Sequence, residues 1–199
     1  MNLSLFLPVS ELREIINHDG ILLYQENYIL SNIDDVTKDI IWRNDSITMF
    51  GKTHPLPRLT AWHGEMGLTH TYSKIKMVST GWTPVLKKIR DQLEIDLNTK
   101  FNSVLVNYYR DGNDHMSYHS DDEKELGQNP IIASLSFGAT RKFHLKHRYD
   151  KSIPTKFFDL KDQSLLVMKE ELQHFWLHKI SKSTKINEPR LNLTYRYIY

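Results

Sequence analysis

Arg190-Leu191-Asn192-Leu193-Thr194-Tyr195-Arg196 alternates polar and apolar side chains without a break. Successive side chains of a strand point to opposite faces. Arg190, Asn192, Thr194 and Arg196 therefore share one side, and Leu191, Leu193, Tyr195 and Tyr197 the other. Two placements fit. On a surface strand the arginines are solvated decoration. On a barrel strand the apolar side packs outward against other elements and the polar side lines a cavity. Two arginines there need anionic partners. A dicarboxylate ligand would supply them through bidentate contacts. Ser103–Arg110 has a related pattern, with Asn107 and Tyr109 on one face of an otherwise apolar strand. They are polar residues near a strand end, or two more donors aimed into the same cavity.

Most of the chain after Phe101 has strand character: Ser103–Arg110, Ile131–Gly138, Arg141–Lys146, Ser164–Met168, His174–Ile180 and Leu191–Tyr199. Asp111-Gly112, Gly127–Pro130 and Gly138-Ala139 are the turn signals between them. Ahead of these, Ser10–Asn17 reads as a short capped helix. Thr83–Leu97 places Val85, Leu86, Ile89, Leu93 and Leu97 at helical spacing behind Pro84, which suits a helix start. Ile47–Gly64 holds strand-like residues, Phe50-Gly51 where a hairpin should turn, and two prolines ending the second arm. The expected class is mainly β with flanking helices (α+β), a mixed front end before an all-β barrel or sandwich.

At 199 residues the chain suits one domain. Its 40% hydrophobic and 25% charged residues are ordinary for a globular protein. No apolar run approaches the roughly 20 residues of a membrane helix, and the first 20 residues make a poor signal peptide. An intracellular location is expected, cytoplasmic in a prokaryote and nuclear in a eukaryote. Cysteine is absent, which removes disulfide scaffolds, thiolate metal sites and Cys nucleophiles together. Histidine is the remaining soft ligand, with ten copies. A net charge of +2 does not announce nucleic-acid binding, but charge is uneven: Arg141–Lys151 is basic and Asp121–Glu125 acidic.

His119-Ser120-Asp121 puts an imidazole and a carboxylate on one face of an extended segment. Two such ligands and one more histidine would make the facial triad of non-haem Fe(II) oxygenases. About one His-x-acid is expected by chance in this composition, and His63-Gly64-Glu65, in a glycine-containing loop, is taken as that case. His178 is the candidate third ligand and His174 its rival. A zinc hydrolase is the competing metal chemistry, but it gives the inward arginines nothing to do.

Several motifs in fixed order carry a resemblance. They are Asn107-x-Tyr109-x-Asp111-Gly112-x-Asp114-His115-x-x-x-His119-x-Asp121-Asp122-Glu123, Ala133-Ser134-Leu135-Ser136-Phe137-Gly138-Ala139-x-Arg141, Ser164-Leu165-Leu166-x-Met168, Trp176-x-His178 and Pro189-Arg190-x-Asn192-Leu193-Thr194-x-Arg196. Phe50-Gly51-Lys52, Pro57-Arg58 and Gly67-Leu68-Thr69-x-Thr71-Tyr72-Ser73 extend it forward. The set resembles the AlkB family of Fe(II)/2-oxoglutarate dioxygenases, and most closely its eukaryotic member for duplex-DNA repair.

The resemblance implies a double-stranded β-helix (jelly-roll) core at about 100–199. It implies a nucleotide-recognition lid with a hairpin finger at about 46–80 and an extension over about 1–45, all in one catalytic domain. Fe(II) would sit on His119, Asp121 and His178. 2-Oxoglutarate would meet Asn107, Tyr109, His119, Arg190, Asn192, Thr194 and Arg196, with O2 as oxidant. Phe50, Gly51 and Lys52 would form the finger that fills the gap left by a flipped base. His70, Thr71, Tyr72, Asp122 and Glu123 would face that base, His70 standing where the family has an aromatic. Gln163 replaces the usual Gly before Ser-Leu-Leu, a loop difference.

Flipping takes a few kcal/mol, and an apolar wedge can occupy the vacated stack. Arg58, Arg141, Lys146 and Arg148, with Lys52 and Lys142, could grip phosphates, or be solvated surface. Asp122 and Glu123 in a pocket would suit cationic 1-methyladenine and 3-methylcytosine. The expected activity is oxidative demethylation of alkylated DNA, duplex favoured, by a monomer without a membrane partner. RNA or single-stranded DNA is the alternative substrate, and a non-catalytic nucleic-acid-binding module the alternative class.

Overall fold

The computed structural model describes residues 12–49, 52–72 and 75–199. The polar-faced strand, β15 (Arg190–Arg196), lies inside a seven-stranded sheet. Its neighbours are β8 (Ser103–Tyr109) and β10 (Ile132–Gly138). Beyond β8 lies the edge strand β5 (Leu59–Gly64). Beyond β10 come β13 (Ser164–Lys169), β2 (Ile21–Gln25) and β1 (Arg13–Ile16). A smaller sheet runs β12 (Lys156–Leu160), β11 (Arg141–His147), β14 (Trp176–Ile180), β9 (Met116–His119). From β8 to β15 the chain passes back and forth between the two sheets, and every described pairing is antiparallel. This is the jelly roll. Two hairpins stand apart, β3 (Ser46–Met49) with β4 (Lys52–Pro55), and β6 (Thr69–Tyr72) with β7 (Ile75–Val78).

All seven residues of β15 are buried, so the surface-strand placement is excluded. Leu191, Leu193 and Tyr195 pack in one core cluster with Leu86, Ile89 and Leu93 of α2 (Pro84–Leu97). The Tyr195 hydroxyl donates to the Leu86 carbonyl at 2.9 Å, pinning helix to sheet. A second apolar cluster joins both sheets through Phe143, Leu145, Trp176, Leu166 and Met168. The polar side of β15 thus turns toward the interior of the roll. Helix α2 starts as its sequence demands: Thr83 accepts from the Leu86 N–H, Pro84 takes the first turn, and Asn98 closes the helix in the left-handed region.

Three expectations need correction. Within the helix expected at Ser10–Asn17, whose residues 10 and 11 lie outside the described ones, residues 13–16 form β1 instead, and Ile16 joins the core beside Leu22 and Trp176. Pairing with β2 overrides the local helical signal. His174–Ile180 is not one strand either. A helical turn, α3 (Leu172–Phe175), precedes β14, with Leu172 in the second apolar cluster and Gln173 buried as well. His63 is not in a loop but in β5, opposite Val104. The first 45 residues also do more than extend the chain, since β2 pairs along β13 in the large sheet. Ile33–Thr37 forms a short helix, α1, capped by Asn32.

Candidate active site

His119 ends β9, Asp121 follows two residues later, and His178 lies directly opposite His119 in the antiparallel register. Their imidazole centroids are 4.2 Å apart. One ligand atom from each of His119, Asp121 and His178 lies within 4.8 Å of the others. His119 Nδ1 donates to the Ser117 carbonyl at 2.9 Å, which leaves Nε2 as the lone-pair nitrogen. Nε2 stands 3.7 Å from Asp121 Oδ1. Burial pushes the His178 imidazole down to about 3; His119 and Arg196 add to this and Asp121 opposes it. His178 is therefore neutral at pH 7, as a metal ligand must be. Burial would raise the Asp121 carboxyl, but Arg196, His178 and His119 outweigh it and hold the group well below the usual range. Arg196 Nη2 donates to Asp121 Oδ2 at 2.7 Å. The Asp121 N–H donates to Gln173 Oε1 at 2.9 Å, and Gln173 Nε2 donates to Met168 Sδ at 3.3 Å.

Three strands supply a polar floor beside the triad. Asn107, Asn192 and Ser136 stand in register across β8, β15 and β10. Asn192 Nδ2 donates to Ser134 Oγ at 2.8 Å, and Thr194 Oγ1 donates to Asn192 Oδ1 at 3.0 Å. Arg190 Nη2 donates to Ser136 Oγ at 2.9 Å. Its Nε and Nη1 are buried with no hydrogen-bond partner among the described residues. Burial lowers Arg190 to about 10, with Tyr109 working against this and Arg141 with it, so the side chain stays charged at pH 7. A charged guanidinium with two orphaned donors fits a carboxylate. Both groups open on one recess of about 570 Å³, counting space open to solvent, lined by His119, Asp121, His178, Tyr109, Arg190 and Arg196 among others. A metal on the triad and a dicarboxylate on Arg190 both suit the residues present.

The model of the 2OG-Fe(II) oxygenase superfamily matches residues 22–196. The DNA oxidative demethylase ALKBH2 of Arabidopsis thaliana is 33% identical over 213 residues, covering 92% of this chain and 68% of that protein. The chain belongs to the AlkB family of this superfamily. The alpha-ketoglutarate-dependent dioxygenase alkB homolog 3 of Mus musculus is 38% identical over 175 residues, 84% of this chain and 60% of its own length. ALKBH2 of Mus musculus is 39% identical over 158 residues, 76% and 66% of the two chains. Identity is level between these two AlkB members and does not choose between them. The chain spans about 60% of the alkB homolog 3 proteins it matches. Among solved structures, that of OsALKBH1 superposes with a TM-score of 0.64 at 16% identity, covering 93% of this chain and all 100% of that one. A 2OG-Fe(II) oxygenase family oxidoreductase from Burkholderia pseudomallei gives 0.58 at 12%, over 88% and 84%. Both likenesses speak to the fold. Membership in an Fe(II)/2-oxoglutarate oxygenase family implies Fe(II), 2-oxoglutarate and O2, in keeping with the His119, Asp121 and His178 cluster.

The other sequence candidates fall out differently. Arg58 is 2% exposed, lines the recess and donates through Nε to Asn107 Oδ1 at 2.8 Å. Arg141 is 1% exposed and bonded to three backbone carbonyls. Neither faces solvent, so the phosphate contacts expected of them are corrected: a guanidinium taken up by interior acceptors is not offered to a polyanion. Arg148 is half-buried and donates to Asp122 Oδ2 at 3.0 Å and Ser120 Oγ at 2.6 Å. Lys142 pairs with Asp159 at 3.2 Å. Lys146 and Lys179 place their ammonium groups 4.3 and 4.6 Å from the Tyr118 ring centre. Glu123 Oε2 is buried without a hydrogen-bond partner among the described residues. Lys52 begins β4, and His70, Thr71 and Tyr72 lie on β6. Phe50 and Gly51 lie outside the described residues.

His174, the rival ligand, sits in α3 and meets Asn129 Oδ1 at 2.9 Å, away from the triad. His63 donates to the Gly81 carbonyl at 3.1 Å, while Glu65 accepts from Arg90 at 2.6 Å, so that pair makes no metal site. Ser134, Ser136 and Gln173 were missed by the sequence reasoning. The alternation in Ala133–Gly138 could have shown the serines; nothing local marks Gln173.

Proposed function

We propose that this chain is an Fe(II)/2-oxoglutarate-dependent oxidative demethylase of N-alkylated bases in DNA, with duplex DNA as the preferred substrate. The observation that carries the oxygenase chemistry is the meeting of the His119–Asp121–His178 cluster with the orphaned donors of Arg190 in one recess. His119 Nε2, the Asp121 carboxylate and His178 would hold the iron. Arg190, with Tyr109 and the Asn192–Thr194 row, would receive the distal carboxylate of 2-oxoglutarate. When bound, these groups supply oxidative hydroxylation of an alkyl carbon, after which an N-hydroxymethyl group leaves as formaldehyde. No protein nucleophile is needed, which suits a chain without cysteine.

The protein's own residues position and discriminate. Arg196 holds Asp121 ionised, and Gln173 fixes its backbone. Arg148 neutralises Asp122, which leaves the buried Glu123 oxygen as the negative group suited to a cationic 1-methyladenine or 3-methylcytosine. Tyr72 and His70 are the proposed lid contacts to the flipped base, and Phe50-Gly51-Lys52 the proposed finger. The enzyme is proposed to act as an intracellular monomer. Among the described residues, no helix is long and apolar enough to cross a membrane.

The test adds Fe(II) and 2-oxoglutarate anaerobically, then air, to a duplex carrying one 1-methyladenine and to the same strand alone. Mass spectrometry follows loss of one methylene mass, with His178→Ala as control. Loss in the wild type only, faster in the duplex, is the expected result. Faster loss in the single strand moves the substrate to unpaired DNA or RNA. Succinate formation without demethylation of either strand overturns the nucleobase substrate.

A further inference from the structure

Arg141 is a fully buried cation that the chemistry above does not use. Its Nη2 donates to the Asp114 and Ser181 carbonyls, each at 2.7 Å, and its Nη1 to the Asp111 carbonyl at 3.2 Å. Asp111 and Asp114 lie in the segment that runs from β8 into β9 and His119. Ser181 follows β14 directly, three residues after His178. One side chain therefore ties together the stretches that deliver both candidate metal histidines.

Charge makes the position unusual. The Arg141 guanidinium carbon is 5.6 Å from the Tyr109 ring centre, and that of Arg190 is 5.2 Å from the same ring. Two buried guanidiniums thus share one phenol. Their described hydrogen bonds go to carbonyls, to Ser136 and to Tyr109, not to carboxylates. The carboxylates of Asp114 and Asp111 act on Arg141 through charge alone, and that of Asp114 is itself held by Arg110 through Nε and Nη2, both at 2.8 Å. Like charges in a poorly screened interior repel. An anion bringing more charge than Arg190 alone neutralises relieves this, and a dicarboxylate does so.

We propose that Arg141 is a positioning and specificity-determining residue of the 2-oxoglutarate site: through Tyr109 and Arg190 it makes the recess select a dianionic oxoacid over a monoanionic one. Arg141 does not line the recess, so it acts on the ligand through its field and through Tyr109. The proposal rests on the reading that Arg190 takes the distal carboxylate.

The experiment is calorimetric titration of the Mn(II)-loaded protein with 2-oxoglutarate and with 2-oxovalerate, which keeps the keto-acid end and lacks the distal carboxylate. The quantity read is the ratio of the two Kd values. For Arg141→Gln the preference for 2-oxoglutarate should fall roughly tenfold, as for loss of one charge at this range in a medium of intermediate dielectric. Mn(II) affinity should fall by less than the oxoacid preference does. Arg141→Lys keeps the charge and should keep the preference. An unchanged ratio in Arg141→Gln overturns the proposal. So does equal weakening of both oxoacids and of Mn(II), which would make the residue structural only. If Arg141→Gln does not fold, a folded Arg141→Lys protein that has lost the preference overturns it, and one that retains it supports it. A wild type that binds both oxoacids alike would overturn the Arg190 reading itself, and this proposal with it.

Discussion

Burial makes His178 a source of pH dependence in the metal-free protein. Burial lowers its imidazole from an ordinary 6.5 to about 3. Above pH 6.5 the ring is neutral in both the folded and unfolded chain, and stability does not depend on it. Between 6.5 and 3 only the unfolded chain takes up the proton, so stability falls as the pH falls. The slope is at most about 1.4 kcal/mol per pH unit. Going from pH 7 to pH 5 should therefore cost the apo protein on the order of 2 kcal/mol through this ring. The depressed Asp121 carboxyl stays ionised across that window and does not offset the loss. Urea midpoints of the wild type and His178→Gln at the two pH values check this. The wild type should lose about 2 kcal/mol more than the variant; equal losses would mean the ring is not held neutral.

Helix α2 and strand β15 are the elements that set the site's back wall, and they are joined by one apolar face. Leu86, Ile89 and Leu93 are each 0% exposed against Leu191, Leu193 and Tyr195, whereas Ile95 on the same helix is 74% exposed. Leu93→Ala should cost about 2–5 kcal/mol by removing buried methyl groups and leaving a cavity. Ile95→Ala should stay within about 0.5 kcal/mol. Chemical denaturation of the two variants measures the contrast, and a costly Ile95→Ala would mean that the helix docks by another face. This helix was legible because its apolar spacing is regular and its cap is explicit. β15 was legible because strict alternation has only two placements, and burial selects one. What the chain hid is equally physical. β1 and β2 are short and owe their conformation to pairing, β1 with β2 and β2 with β13, a partner about 140 residues away in sequence. α3 is a single turn, too short to leave an apolar period in the sequence. The polar side of β15 points to an anion, but that Nε and Nη1 of Arg190 are orphaned while Nη2 is bonded to Ser136 is a property of the packing and leaves no mark in the sequence. Arg58 and Arg141 were misjudged because a basic residue read without its burial looks like surface.

The whole molecule is nearly balanced, with 26 basic and 24 acidic residues, so its proposed affinity for nucleic acid depends on where a few cations stand. Six are candidate phosphate grips, and the side chain of one, Lys52, lies outside what the structure describes. Arg58 and Arg141 are interior, Lys142 is paired with Asp159, and Arg148 with Asp122. Lys146 remains beside Lys179 over the Tyr118 ring, on the sheet that carries His119 and His178. Each phosphate neutralised contributes about −0.9 to the slope of log K against log salt. All six cations in contact would give a slope of about −5. The observed distribution predicts about −2 to −3, with Lys146→Gln making it about one unit shallower. Anisotropy of a labelled duplex titrated at several salt concentrations reads the slope directly. A value near −5 carried by these six cations would require Arg58 and Arg141 to leave their interior acceptors on binding. That would break the Arg58–Asn107 hydrogen bond and the three carbonyl bonds of Arg141 together, so such a slope would come with a rearranged 2-oxoglutarate pocket. A slope of −2 to −3 would leave that pocket intact in the complex, and the cosubstrate would bind equally well before and after the nucleic acid.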